Sequence, residues 1–221
     1  MKVFTRTGFL VFALVATTLM VGSLALSLIA EYIYQPQLKA LHEIEDLSKI
    51  QRAKLKRVNL HNRQLITLVK VRQFLGEKRI SLPPGDVWDI ATSIDRVAQK
   101  YRLQPEMLLA IIQTESAFRF DAVSSKGAVG LMQLLPSTAE EVAREIELEW
   151  TGDHLLRDPE INIELGSYYL AKLRDRFDSL ETAVAAYNEG PNRVSRLQQT
   201  QAALPTIYRD RVFSNLRQFA N

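Results

Sequence analysis

The sequence contains no cysteine, only three histidines and 8% aromatic residues. Without cysteine, disulfide bonds and thiolate-ligated metal sites are excluded, although the compartment stays open. The histidines His42, His61 and His154 are widely separated and match no metal-ligand spacing, so no metal or other cofactor is predicted. A strand-like alternation of apolar and polar residues and internal repeats are also absent, and the chain is therefore predicted to be all-α.

Charge is distributed unevenly along the chain. Residues 35–80 contain 11 Lys and Arg against 4 Asp and Glu, whereas residues 81–221 contain 15 against 20. The C-terminal part is thus acidic and carries no recognisable nucleic-acid-binding module, so nucleic acid is not a predicted partner. The basic stretch is interpreted as a solvated helix, with contact to an anionic lipid or polymer as the alternative.

One uncharged run, residues 7–30, is long enough to cross a membrane. Twenty-four helical residues reach about 36 Å, more than the roughly 30 Å of a hydrocarbon core. Lys2 and Arg6 before the run and Glu31 after it favour an N-terminus inside and the remainder outside. The run is interpreted as an uncleaved anchor. The alternative is a signal peptide cleaved near Ala25-Leu26-Ser27.

Residues 31–82 follow as a predicted juxtamembrane helical stalk. Pro36 is expected to end or offset the membrane helix. Apolar residues beyond it recur at mostly helical spacing, but closer to every third position than to a heptad, so a long coiled coil is not predicted. The stalk is a candidate attachment to the next domain or to an envelope protein complex. The segment Ser81–Gly85 breaks the pattern, Asp86 is predicted to cap the next helix, and a compact helical domain is predicted over 83–221.

Glu115 is the leading candidate for catalysis. Leu108, Ile111 and Ile112 precede it by seven, four and three residues, so the acid is expected on their apolar helical face. A carboxyl group on a buried face should have a raised pKa, as a general acid working near neutral pH needs. Gly127 and Gly130 follow in a loop, where they are interpreted as allowing backbone and ligand to approach closely.

Two separated motifs surround this acid. The first is Glu115-Ser116-Ala117-Phe118, then Ser124, then Gly127-Ala128-Val129-Gly130-Leu131-Met132-Gln133; the second is Ala186-Tyr187-Asn188-Glu189-Gly190-Pro191. Together with the intervening segment from Asp158 to Gly166, they resemble the lytic transglycosylase SLT domains, a goose-type lysozyme-like family. The similarity covers roughly residues 90–215. It implies a lysozyme-like all-α domain, preceded here by the transmembrane helix and the stalk.

The resemblance implies cleavage of the MurNAc–GlcNAc β-1,4 bond of peptidoglycan glycan strands. Glu115 is then the single general acid and base, and the MurNAc C6 hydroxyl closes on C1 to give a 1,6-anhydro sugar. Together with the predicted anchor over residues 7–30, the resemblance places the chain in the bacterial inner membrane, single-pass, with the catalytic domain in the periplasm, or free in the periplasm after signal cleavage.

The resemblance also implies a substrate-binding set. Its members are Ser124, Met132, Gln133, Tyr187, Asn188 and Tyr208. Gln133 offers donors and an acceptor, Tyr187 a hydroxyl for the acid, and Asn188 an amide for an N-acetyl group. Core packing is the alternative for Met132. For Tyr187 and Asn188 the alternative is a buried pair that only holds two helices together.

Several features depart from the family pattern. Glu189 stands where alanine is common, and is interpreted as changing the charge of the cleft or, preferably, as facing water. Leu204 and Pro205 occupy the Glu-Thr positions before Tyr208. A lysozyme-type hydrolase and a non-catalytic peptidoglycan-binding scaffold remain the alternative functions.

Overall fold

The structure is a computed structural model that describes residues 6–220. Lys2, in the predicted cytoplasmic segment, lies outside the described residues. The α-helices in this range are α1 (Arg6–Ile29), α2 (Gln35–Glu77), α3 (Pro84–Tyr101), α4 (Pro105–Ser116), α5 (Pro136–Glu145), α6 (Pro159–Arg176), α7 (Leu180–Glu189), α8 (Pro191–Gln199) and α9 (Ile207–Ala220), and a short 3₁₀ helix covers Asp153–Arg157. Within it, β-structure is limited to isolated bridges at Val123–Val129 and Val129–Leu134. The all-α prediction is confirmed.

Proline begins many of these helices. Pro84, Pro105, Pro136, Pro159 and Pro191 each stand at a first helical position, where the missing N–H costs nothing and the fixed φ favours the helix. The start of α3 therefore lies at Pro84, with Pro83 as the residue before it and no side-chain cap. The prediction that Asp86 caps this helix is wrong, and Asp86 lies inside the first turn.

Pro36 offsets the chain instead of ending the helix. A π-helical turn, Ala30–Tyr34, joins α1 to α2, and the N–H of Gln35 donates to the carbonyl of Ala30, five residues back. Proline has no N–H and its ring collides with the carbonyl four residues earlier. The wider turn places that conflict at a π-bulge, a known accommodation within α-helices.

The described chain divides into two compact units, and the division falls inside α2 between Asn59 and Leu60. In the first unit the apolar side chains of α1 are exposed, as at Phe12, Leu19 and Met20. The helix covering Gly8–Glu77 contains one stretch that is long and apolar enough to cross a membrane.

The second unit begins at Leu60, earlier than the predicted domain start at residue 83. Val71, Phe74 and Leu75 on the last turns of α2 are buried in its core. The Phe74 ring lies 5.0 Å from that of Phe118 and 5.8 Å from that of Phe219. The end of the predicted stalk is thus part of the compact domain, because its apolar stripe packs there.

The centre of this unit is α4. Its residues from Met107 to Ile112 are almost completely buried, as the apolar sequence leads one to expect. Helix α4 packs against α9, α3 packs against α6, and α7 packs against both α6 and α9. These pairings bring the C-terminal end of α4, the end of α7 and the start of α9 to one place.

Candidate active site

A cleft of about 560 Å³ opens where these segments meet. Five of the residues predicted from the sequence line it, together with Glu189 and Lys126: Glu115, Ser124, Gln133, Tyr187 and Asn188. They come from the end of α4, from the loop between α4 and α5, and from the end of α7. Side chains separated by more than 70 positions are therefore brought to one cavity.

Glu115 lies in the last turn of α4 and is largely buried. Desolvation raises the pKa of its carboxyl group from an ordinary 4.5 to about 7, against the lowering effects of a hydrogen bond from Tyr208 and of the Arg211 charge. Burial disfavours the charged form of an acid, and here this effect outweighs both stabilising contacts. The group can therefore hold or release a proton near neutral pH.

The tyrosine that contacts this acid is Tyr208. Its hydroxyl donates to Glu115 Oε1 at 2.6 Å, because α9 packs on α4 and places Tyr208 beside the last turn. The sequence suggested that Tyr187 donates a hydrogen bond to Glu115, and this prediction is wrong. The Tyr187 hydroxyl donates to the backbone carbonyl of Met132 at 2.9 Å.

Met132 does not line the cleft. Its side chain is fully buried, and its sulfur lies 3.9 Å from Ser167 Oγ on α6. The sequence left open whether Met132 binds substrate or packs in the core, and in the structure it packs in the core. The backbone of Met132 still bears on the site, since its carbonyl anchors Tyr187.

The side chains of Gln133 and Ser124 form hydrogen bonds with backbone groups of the loop between α4 and α5. The Gln133 side-chain amide donates to the carbonyls of Ala122, at 3.0 Å, and Gly130, at 2.9 Å. Its donors are therefore committed, and the acceptor Oε1 is the atom left for a ligand. Ser124 Oγ accepts from the N–H of Ala128 at 3.0 Å, which leaves its hydroxyl proton available to a ligand.

Asn162 is a supporting residue that the sequence analysis passed over. It is fully buried on α6. Its Oδ1 accepts from the N–H of Met132 at 2.8 Å, and its Nδ2 donates to the carbonyls of Val129, at 3.0 Å, and Leu156, at 2.9 Å. The signal was an amide between apolar residues on a helix, which must find partners when buried.

Gly130 is required by this same packing. Its φ is +85°, and a Cβ there would lie 2.2 Å from Asn162 Nδ2 and 2.3 Å from the carbonyl oxygen of Leu156. The close approach is thus to Asn162 on α6 and to Leu156 just before α6, whereas the sequence had been interpreted as bringing the backbone close to a ligand.

Glu189 lies in the cleft, although the sequence analysis favoured a position facing water. Only 17% of its side chain is exposed, and its Oε2 lies 2.9 Å from the Arg193 guanidinium. Its Oε1 accepts from Asn188 Nδ2 at 3.1 Å. The cleft thus holds a second carboxylate with both oxygens engaged.

The chemistry available in the cleft is proton transfer by Glu115, whose carboxyl group is largely shielded from water. A carboxyl group that titrates near pH 7 is suited to act as acid and then as base. In the described part of the chain no three His, Cys, Asp or Glu side chains come together as a metal site.

Known proteins are similar to this chain in the region that contains the cleft. The model of the family described as "Transglycosylase SLT domain" matches residues 92–208. The chain is 33% identical over 114 residues to a membrane-bound lytic murein transglycosylase C of Serratia proteamaculans, covering 47% of this chain and 32% of the relative. It is 34% identical over 120 residues to the soluble lytic murein transglycosylase of Escherichia coli K12, covering 53% of this chain and 18% of the relative.

A solved structure of the 70 kDa soluble lytic transglycosylase of Escherichia coli aligns over 76% of this chain and 28% of its own, with 28% identity and a TM-score of 0.49. The chain thus spans about a third or less of the length of these relatives. The family match covers more than half of the 221 residues and contains Glu115, the loop after it and the block around Asn188. The chain belongs to the transglycosylase SLT domain family.

Proposed function

We propose that this chain is a peptidoglycan lytic transglycosylase with Glu115 as its single general acid and base. The substrate is the MurNAc–GlcNAc β-1,4 bond, and the product end is 1,6-anhydro-MurNAc. The observation that carries the proposal is the largely buried Glu115 carboxyl group, with its pKa raised to about 7, in a cleft shared with Asn188 and Gln133. Relatives named lytic murein transglycosylases, of which the chain spans only a part, support it.

The proposed reaction has two halves. Protonated Glu115 first gives its proton to the glycosidic oxygen as the C1–O bond breaks and positive charge develops at C1. The resulting carboxylate then takes the proton of the MurNAc C6 hydroxyl while O6 bonds to C1. The proton that Glu115 lends is recovered, and no water is consumed. An acid with a pKa near the working pH serves both halves.

The polar groups around Glu115 take supporting roles in this proposal. Tyr208 holds the carboxyl group through its 2.6 Å hydrogen bond. Ser124, Gln133 Oε1 and Asn188 bind sugar hydroxyl and N-acetyl groups. Met132 and Tyr187 act through their mutual hydrogen bond, which maintains the wall of the cleft.

The test is digestion of purified sacculi by the wild type and by Glu115→Gln, with soluble products identified by mass spectrometry. Wild type is expected to release anhydro-muropeptides, and Glu115→Gln to reduce their release by at least a hundredfold, the lower range for loss of a general acid. Glu149→Gln, at an exposed glutamate, is the matched control and should retain full activity. Undiminished release by Glu115→Gln would exclude its assigned role.

A lysozyme-type hydrolase is the second candidate, and Glu189 is the observation that favours it. Glycosidases that use water commonly need two carboxyl groups flanking the bond, and the cleft contains Glu189 as well as Glu115. Hydrolysis would release reducing-end MurNAc, which is heavier than the anhydro form by one water molecule. Retention on sacculi without any soluble fragment would instead indicate a non-catalytic scaffold.

The proposal for location is a single-pass inner-membrane protein with residues 7–30 as an uncleaved anchor, a helical stalk from residue 31 to the start of the compact unit at Leu60, and the SLT domain in the periplasm. The exposed apolar side chains of α1 and relatives named membrane-bound support it. Membrane fractions of expressing cells are expected to hold the full-length chain after alkaline carbonate washing. A mature N-terminus near Ser27 in the soluble fraction would replace the anchor by a cleaved signal.

A further inference from the structure

Three polar residues at the junction of α7 and α8 form a connected group, and the function proposed above uses only one of them, Asn188. Glu189 Oε2 lies 2.9 Å from the Arg193 guanidinium, and Glu189 Oε1 accepts from Asn188 Nδ2 at 3.1 Å. Asn188 and Glu189 both line the cleft, whereas Arg193 lies on α8 with 64% of its side chain exposed. One carboxylate therefore links a cleft amide to a cation outside the cleft.

These three side chains connect the end of α7 to the start of α8. Helix α7 ends at Glu189, Gly190 has φ +85°, and α8 begins at Pro191. Without the ion pair, the Glu189 side chain at the last position of α7 would keep only its hydrogen bond with Asn188. The Arg193 contact therefore restrains the Glu189 side chain next to the turn that carries Asn188.

The identity of the acceptor decides how Asn188 is oriented. The carboxylate oxygens of Glu189, paired with Arg193 and Asn188, serve as hydrogen-bond acceptors. The neighbouring amide must then present its NH₂ group to Glu189, since the opposite orientation would set two oxygens against each other. The atom left for a ligand in the cleft is Oδ1, an acceptor.

We infer that Glu189, braced by Arg193, is a positioning residue that holds Asn188 with Oδ1 toward the cleft, where it accepts the N–H of an N-acetyl group of the glycan. The inference rests on the proposed function for its ligand. Glu189 acts through Asn188 and makes no contact with the reacting atoms. It sets a preference for N-acetylated sugar at this position.

The test is a double-mutant cycle on binding, which needs no turnover. Detergent-solubilised full-length chain carrying Glu115→Gln is titrated by calorimetry with peptide-free glycan strands prepared from sacculi. Glu189→Gln keeps the side-chain size, but its single oxygen pairs with Arg193 and its NH₂ group faces Asn188, so the Asn188 amide turns over. Affinity is expected to fall about 3- to 10-fold, the effect of one hydrogen bond.

The same substitution in an Asn188→Ala background should change affinity by less than twofold, because Glu189 then has no amide to position. Additive effects of the two substitutions would overturn the inference while leaving glycan binding established. Failure of the Glu115→Gln chain to bind strands, together with absence of products from the wild type, would remove the proposed function as well.

A kinetic measurement separates positioning from catalysis in the chain with Glu115 intact. Glu189→Gln should raise KM about 3- to 10-fold and leave kcat and its pH dependence within twofold. Arg193→Gln should act in the same direction, and Arg196→Gln, at an exposed arginine on the same helix, should change neither constant. A hundredfold loss of kcat in Glu189→Gln would instead assign Glu189 to the chemical step and contradict the inference.

Discussion

The pKa of Glu115 lies near neutral pH because the last turn of α4 is enclosed by α9 and by the loop before α5. Tyr208 and Arg211 both favour the charged form, yet desolvation outweighs them and the pKa stays at about 7. A buried acid of this kind costs folding free energy once it ionises. The residue suited to chemistry is therefore a residue that destabilises the domain.

The first prediction concerns the folding free energy that is lost when the buried Glu115 ionises. The unfolded Glu115 ionises near pH 4.5 and the folded one near pH 7, so the stability held below pH 4.5 is lost as pH rises through 7. Glu115→Gln should match the wild type at pH 4 and exceed it at pH 8 by up to about 3 kcal/mol, at about 1.4 kcal/mol per pH unit.

Urea unfolding at pH 4, 6 and 8 measures this difference. Glu149→Gln serves as the control and should track the wild type throughout. A stability difference that is the same at all three pH values would contradict the desolvation argument.

The second prediction concerns Tyr208→Phe. The phenol hydrogen bond lowers the pKa of Glu115, so its removal should raise that pKa further, while the ring still fills the same space. In the proposed reaction Glu115 must be protonated at the start, so the loss of activity at alkaline pH should move to higher pH. The plateau rate should fall about tenfold, the value of one hydrogen bond to the acid.

The pH–rate profile of sacculus digestion provides the measurement for Tyr208. Tyr168→Phe is the matched control, since the Tyr168 hydroxyl bonds Glu145 and does not line the cleft. If the alkaline limb of Tyr208→Phe moved to lower pH, the hydrogen bond would have been assigned the wrong sign.

At the scale of elements, the loop between α4 and α5 depends on α6 for its shape. Asn162 satisfies one N–H and two carbonyls with a single buried side chain. Two of those groups belong to the loop, at Val129 and Met132, and the Met132 carbonyl anchors Tyr187. One wall of the cleft is thus held by hydrogen bonds and close packing against a single helix.

The third prediction separates the two loop glycines. Both have positive φ, but a Cβ at Gly130 would collide with Asn162 and Leu156, while the space around Gly127 is open. Gly130→Ala should lower the free energy of unfolding by about 3 kcal/mol, and Gly127→Ala by about 1 kcal/mol, the cost of a left-handed backbone alone. Denaturant unfolding of both variants tests this, and equal losses would show that backbone conformation, not the contact with α6, is what matters.

At the scale of the whole molecule, the compact unit starts inside the longest helix. Val71, Phe74 and Leu75 of α2 are buried with Phe118 and Phe219, so the domain that carries the cleft includes a part of the predicted stalk. Each fully buried apolar side chain of this size contributes about 1.5–3 kcal/mol. The summed contribution of Val71, Phe74 and Leu75 is comparable to a large part of the net folding free energy of a typical domain.

The fourth prediction follows for fragments of the chain. A fragment of residues 60–221 should unfold in one cooperative transition, whereas a fragment of residues 83–221 should lose cooperativity or unfold at much lower urea concentration. Circular dichroism during a urea titration measures both. The substitution Val69→Ala, at an exposed position of α2, is the control and should have little effect on the longer fragment. Equal stability of the two fragments would restore the boundary at residue 83.

Most helices could be predicted from the sequence because their signals are local. Prolines stand at five helix starts, and apolar residues recur at helical spacing, so the all-α class is encoded by neighbouring residues. The apolar face of α4 likewise placed Glu115 in a dry environment. Asp86 was assigned wrongly as a cap, since the stronger local signal was Pro84.

The sequence by itself therefore determined the all-α class, the apolar N-terminal helix and the acid at the end of α4, because each depends on neighbours within a few positions. Only the tertiary structure decided that Tyr208 rather than Tyr187 bonds Glu115, that Met132 is buried, that Glu189 enters the cleft and that the domain begins at Leu60. Those outcomes depend on how distant helices pack. The contact between Glu115 and Tyr208 joins residues 93 positions apart, and no local pattern encodes which side chains such packing brings together.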